Sequence, residues 1–223
     1  MKIERLTIKT KKLKEQLRFY KDRLGFELIS YHEKSFLLKA GYSELCLEYD
    51  EHFTPYHLAF HIPDETEEEA VKWIENERPV LKDNGEKIID FSNWKAKSVY
   101  FYDEDHNIVE LISRRDFQKS KSALFSADSI IGIAEIGLSV TEVEPVFRKL
   151  RSDCLLHQYD GDLENFCAIG DEEGLLICVN QHHKKWFPTS DKAKPASINL
   201  DFQHRGEHFN LVYDKTSIQF SEK

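Results

Sequence analysis

Three stretches of the chain alternate apolar and polar residues and then change to the three-to-four spacing of an amphipathic helix. They are Arg5 to Thr10 before Leu13 to Tyr20, His57 to Ile62 before Thr66 to Glu75, and Glu135 to Val140 before Val143 to Leu150. In the first two cases three short strand-like runs follow. These are Phe26 to Tyr31, Ser35 to Lys39 and Glu44 to Tyr49, then Lys87 to Phe91, Ser98 to Tyr102 and Asn107 to Ile112. The third copy runs from Ile130 to Asn180, its last strand Leu175 to Val179 opened by the turn Gly170 to Gly174. Ser197 to Phe220 offers three short strands with no room for a helix, so a fourth copy is stunted. A repeated strand-helix-three-strand unit cannot bury its apolar face alone and must stack on its copies. The pattern predicts an α+β fold. It divides the chain into an N-terminal half of two modules over 1–113, a polar, serine-rich linker over 114–129, and a degenerate C-terminal half over 130–223.

The alternation also sorts polar side chains. His57, Ala59 and His61 share one face of their strand while Leu58, Phe60 and Ile62 share the other, which should lie under the helix. Ile108, Glu110 and Ile112 share a face, and a carboxylate in apolar company needs a partner or a metal. Glu44, Cys46 and Glu48 likewise share a face. For His57 and Glu110 the ordinary alternative to a metal is a direct bond to each other, or a salt bridge from Glu110 to Arg5. His61 reads as a rim residue, His182 and His183 as a solvated loop, and Glu135 as structural.

Composition narrows the classes. The 223 residues suffice for one large domain or two smaller ones, with 40% hydrophobic and 32% charged residues. No apolar run reaches the roughly 20 residues that span a bilayer, and the start of the sequence reads as a first strand, so a cytoplasmic protein is expected. A net charge of −9 argues against nucleic acid as a partner. The basic groups Lys9 to Lys14 and Arg114–Arg115 read as solvated surface. Cys46, Cys154, Cys167 and Cys178 form no Cys-x-x-Cys pair, and most lie in apolar contexts where a reduced cysteine acts as a small hydrophobe.

Three segments carry a family resemblance. Phe101-Tyr-Asp-Glu-Asp-His-Asn-Ile-Val-Glu-Leu111 resembles the F-x-D-P-D-G-N-x-x-E-L strand-turn-strand that closes modules of the vicinal oxygen chelate superfamily, which includes glyoxalase I, extradiol dioxygenases and bleomycin and fosfomycin resistance proteins. Leu17 to Glu27 is similar to its F-Y-x-x-x-L-G-F helix exit, and Tyr56 to Ile62 to its H-x-A-F strand. The resemblance covers 1–113 well and 130–181 faintly. It implies βαβββ modules paired into half-open barrels, with one divalent metal (zinc, nickel, manganese or iron) held by the first and last strand of each module. Carried over, the ligand positions fall at Arg5, at Cys46 or Glu48, at His57 and at Glu110. Arginine stays protonated and has no lone pair to give, so one ligand is missing.

Two readings of function stand open. In one, a small-molecule-binding protein of the drug-sequestering kind works without metal, its cleft lined by Arg5, Trp94, Tyr100 and Tyr102. In the other, a divalent-metal-dependent lyase, isomerase or dioxygenase holds its metal on His57, Glu110 and Glu48 and acts on a small substrate with vicinal oxygens, Glu110 and Arg5 being catalytic. A homodimer is expected in either case.

Overall fold

The computed structural model describes residues 1–115, 117, 119 and 124–222. In the first module β1 (Lys2–Thr10) leads into α1 (Leu13–Leu17), which widens into a π-type turn over Arg18–Arg23. Strands β2 (Leu28–His32), β3 (Ser35–Ala40) and β4 (Ser43–Tyr49) follow. The second module holds β5 (His57–Ile62), α2 (Glu67–Glu75), two short strands β6 (Val80–Leu81) and β7 (Ile89–Phe91), and then β8 (Ala96–Tyr102) and β9 (Ile108–Arg114). The third has β10 (Gly132–Val140), α3 (Val143–Cys154), β11 (Gln158–Gly161), β12 (Phe166–Asp171) and β13 (Gly174–Asn180). The fourth is the helix-free meander β14 (Ile198–His204), β15 (Glu207–Tyr213) and β16 (Ile218–Glu222).

In each complete module the first and last strands lie side by side in parallel, β1 with β4, β5 with β9 and β10 with β13. Parallel neighbours need a crossover, which the helix and the intervening strands supply. Leu58, Phe60 and Ile62 turn to the helical side and share the main core with Ala70, Val71 and Ile74 of α2. Burying each large side chain there stabilises the fold by about 2 kcal/mol.

The modules join edge to edge in a different order from the sequence. β5 pairs antiparallel with β10, so module two abuts module three, while β1 pairs antiparallel with β14, so module one abuts module four. A single contact, Ile3 opposite Ile133, carries the sheet from β1 to β10. The sheet stays open. Its strand pairings therefore cross the division into 1–113 and 130–223 three times, β5 with β10, β1 with β14 and β1 with β10.

The turn that carries the resemblance is a buried polar hub. Asp103 Oδ1 accepts from the backbone N–H of Asp105 and of Asn107, each at 2.9 Å, and Asp103 Oδ2 accepts from Tyr20 Oη at 3.1 Å. Asp105 accepts from Gln16 Nε2 at 3.1 Å and from the Thr10 hydroxyl. His106 takes the left-handed backbone conformation, φ 64°, that closes the turn. The hub ties module two to α1 and its wide turn, which explains why the two motifs occur together. Within the linker, Phe117 stacks on His61, and Ser126 caps a helical turn over Ala127–Ser129. Residues 116, 118 and 120–123 of that linker lie outside the described residues. No helix is long and apolar enough to cross a membrane among the described residues.

Candidate functional site

The face of the sheet turned away from the helices is walled by modules two and three, and between them lies a cavity of about 560 Å³. His57 and Glu110 reach it from β5 and β9, Glu135 from β10, and Ile177 and Val179 from β13. Phe91, Trp94, Tyr100, Phe166, Trp186 and Phe187 supply aromatic walls. Asp90, Asp160, Lys184 and Lys185 complete the charged lining.

A β-bulge places Glu135 there. The β5–β10 register slips between Ile133 and Glu135, inserting Ala134. Ile133 and Ile136 both stay in the main core, whereas Ala134 joins Ala59 and Ile112 behind the cavity and Glu135 lines it. Simple alternation would not put Ala134 and Glu135 on one side; an inserted residue does. Trp186 can lie over β10 because residue 137 is glycine. A Cβ at Gly137 would meet the Trp186 ring at 2.6 Å and His57 Cβ at 3.2 Å.

The buried polar groups form two linked pairs. His57 Nε2 lies 3.0 Å from Glu110 Oε2, and Ser98 Oγ donates to Glu110 Oε1 at 2.6 Å. Arg114 Nη2 donates to Glu135 Oε1 at 2.8 Å, its guanidinium lying 5.6 Å from the Trp94 ring centre. Glu110 and Glu135 are each 2% exposed, as is Arg114. Burial, with the neighbouring Glu110 charge, pushes the Glu135 carboxyl up to about 7, against the opposing pull of Arg114 and His57. Burial and the same two carboxylates raise the Tyr100 phenol well above its ordinary value. His57 Nδ1, Trp186 Nε1 and the Nε and Nη1 groups of Arg114 are buried without a hydrogen-bond partner among the described residues.

The residues expected at the site fall into two groups. His57, Glu110, Trp94 and Tyr100 line the cavity. Arg5 and Glu48 do not: they belong to module one, where Arg5 Nη1 lies 3.6 Å from Glu44 and Lys9 Nζ binds Glu48 at 2.5 Å. Cys46 is on the same strand as Glu48, beside Arg5 and Thr7. The cause is the edge pairing, which gives β1 and β4 a different partner from β5 and β9. Tyr102 faces another depression and donates to Asp191 at 2.6 Å.

Three further expectations are corrected. Arg114 is buried and ion-paired instead of solvated, because β9 runs two residues further than its alternating stretch suggests. His61 is fully buried, its Nε2 3.2 Å from the Glu173 carbonyl, and burial together with Arg114 pulls its pKa down to about 3. Glu135, read as structural, is a lining residue. A signal for it exists: it heads its strand as His57 does.

The donor set does not suit a metal ion. By strand register His57 and Glu135 are equivalent heads, and the position on β13 that matches Glu110 on β9 is Ile177, which has no donor atom. Both Glu110 oxygens are already engaged, and Glu135 is neutralised by a guanidinium that would repel a dication. Among the described residues no group of three or more His, Cys, Asp or Glu side chains is arranged to hold a metal.

No protein-family model and no curated relative matches the chain. Solved structures do. A candidate dioxygenase from Bacillus subtilis subsp. subtilis strain 168 superposes over 95% of this chain and 81% of its own, with a TM-score of 0.55 at 10% identity. Lactoylglutathione lyase from Agrobacterium tumefaciens matches 50% of this chain and 92% of its own, with a TM-score of 0.43 and 21% identity. A candidate glyoxalase-family protein from Bacillus anthracis matches 52% of this chain and 96% of its own, with a TM-score of 0.41 and 19% identity. The likeness that extends along nearly the whole chain shows the fold: paired βαβββ modules, as in that Bacillus subtilis structure.

Proposed function

We propose that the cavity between modules two and three binds a small organic molecule without a metal. The observation that carries this reading is the pairing of its buried carboxylates. His57 and Ser98 engage both oxygens of Glu110, and Arg114 pairs with Glu135, beneath an aromatic chamber of ligand size. The site supports sequestration or transport of the ligand. It offers no module-one residue to the cavity, so Arg5 and Glu48 take no part in this reading.

The metal-dependent alternative, a lyase, isomerase or dioxygenase, keeps His57 and Glu110 as ligands but needs further donors in place of Glu48. It would require Arg114 to leave Glu135.

Binding of the fluorescent neutral aromatic N-phenyl-1-naphthylamine tests the proposal. The full chain should enhance its emission saturably, and Ile177→Trp, which fills the chamber from β13, should weaken binding by at least about tenfold, or 1.4 kcal/mol, with unchanged melting. Equal binding by both proteins would place the dye elsewhere and refute the pocket reading.

A further inference from the structure

We infer that residues 185–192 form a tongue that gates the cavity, with Trp186 as its plug and Tyr102 as its catch. The inference rests on the pocket reading above and adds how a ligand gains entry.

The tongue lies in the connection from β13 to β14 and carries Lys185, Trp186 and Phe187 into the cavity lining. It is bonded to itself. Trp186 N–H donates to the Asp191 carbonyl at 2.8 Å, Thr189 N–H donates to the Trp186 carbonyl at 3.0 Å, and Lys185 bridges to Lys192 in antiparallel register. Both feet are fixed: Lys184 N–H donates to the Asn180 carbonyl at 2.9 Å, and the Ala193 carbonyl accepts from Ser139 Oγ at 2.9 Å. A segment bonded within itself between two fixed feet can swing as one body, the residues at its feet absorbing the backbone rotation.

There is room for the plug to move. Trp186 lines the cavity of about 560 Å³ and also a separate hollow of about 190 Å³, which it shares with Tyr56, Ile108 and Asp191. A large side chain in a close-packed core has no such space beside it. Displacement of the indole into the hollow uncovers His57, whose ring centre lies 5.5 Å from that of Trp186.

The forces on the plug oppose one another. Trp186 is buried against Gly137, and the Phe187 ring meets those of Tyr100 and Phe91 at 5.8 and 5.7 Å, so apolar burial holds the tongue down. Against it, Trp186 Nε1 and His57 Nδ1 are both buried without a hydrogen-bond partner among the described residues, and each gains one when water reaches it. The catch adds to the closed side: Tyr102 Oη, on β8 of module two, donates to Asp191 Oδ2 at 2.6 Å. With gain and cost opposed in this way, one hydrogen bond shifts the population of the open state.

Solvent exchange of the Trp186 indole N–H tests the gate in the full-length chain without ligand. Proton NMR supplies the rate, the resonance being assigned by its loss in Trp186→Phe. Tyr102→Phe, which removes the catch, should speed this exchange about fivefold while the backbone amides of β10 exchange as before. An unchanged indole rate overturns the gate, and so does an equal acceleration in β10, which would report loosening of the whole fold. Stopped-flow mixing with N-phenyl-1-naphthylamine gives a second reading. Association and dissociation should both quicken by the same factor in Tyr102→Phe, leaving the affinity unaltered. Faster dissociation with unchanged association would make Tyr102 a ligand contact and contradict the gate. If the dye fails to bind at all, the pocket reading falls, and the indole exchange still decides the gate by itself.

Discussion

Glu135 is the residue on which the electrostatics of the cavity turn. A lone carboxylate at the head of an apolar strand looks structural in a sequence, and its partner Arg114 looks like surface beside Arg115. Neither appearance survives burial, because a charge taken out of water must be paired or must neutralise. The sign of the resulting pH effect follows from the raised pKa. From its ordinary value of 4.5 up to about 7 the native carboxyl holds a proton that the unfolded chain has released. Its contribution is fully present below 4.5 and is lost as pH rises through about 7, by on the order of 3 kcal/mol at most. Glu135→Gln should therefore flatten the fall in urea midpoint across that window, whatever it does to the midpoint itself by leaving Arg114 unpaired. An unchanged slope would mean that Glu135 is ionised throughout.

Among the elements, β10 does the most to shape the site. Its bulge at Ala134 delivers Glu135, and Gly137 lets Trp186 lie against the strand. Gly137→Ala would put a methyl group inside the Trp186 ring, so the indole must move. The expected cost is about 1–3 kcal/mol, with a red shift of tryptophan emission as the ring is displaced toward water. Unaltered melting and emission would show that the strand yields instead of the ring. How far such features could be read beforehand depends on their origin. Alternation over His57 to Ile62 and Ile108 to Ile112 put His57 and Glu110 on the face opposite the helix, since period two is intrinsic to a strand. The bulge left no trace, because a one-residue slip depends on the partner strand. Arg114 was hidden for a related reason: nothing in its neighbours marks where β9 ends.

At the scale of the whole molecule, what is not local is which modules meet. Four units were recognisable because each has its own periodicity, and the stunted fourth was visible from the few residues left for it. Pairing is decided by edges, and β5 chooses β10 while β1 chooses β14. Sequence order suggests that 1–113 closes its own barrel and that Arg5 meets Glu110. The observed ladders instead leave the edges of β1 and β5 bare if the chain is cut at the linker. Unpaired apolar edges cost stability and invite aggregation. Fragments 1–113 and 130–223 made separately should therefore melt without cooperativity, and co-expression should restore a single transition. A cooperative melt by 1–113 alone would show that modules one and two are a self-sufficient unit.

The account's central claim is that two side-chain pairs, His57 with Glu110 and Arg114 with Glu135, stand where a metal would otherwise be held. Elemental analysis of the full chain purified without chelator tests it most directly. The account predicts zinc, nickel, manganese and iron far below stoichiometry, with naphthylamine binding unchanged after chelator treatment. A transition metal present at one per chain, and lost together with dye binding in His57→Ala, would contradict it.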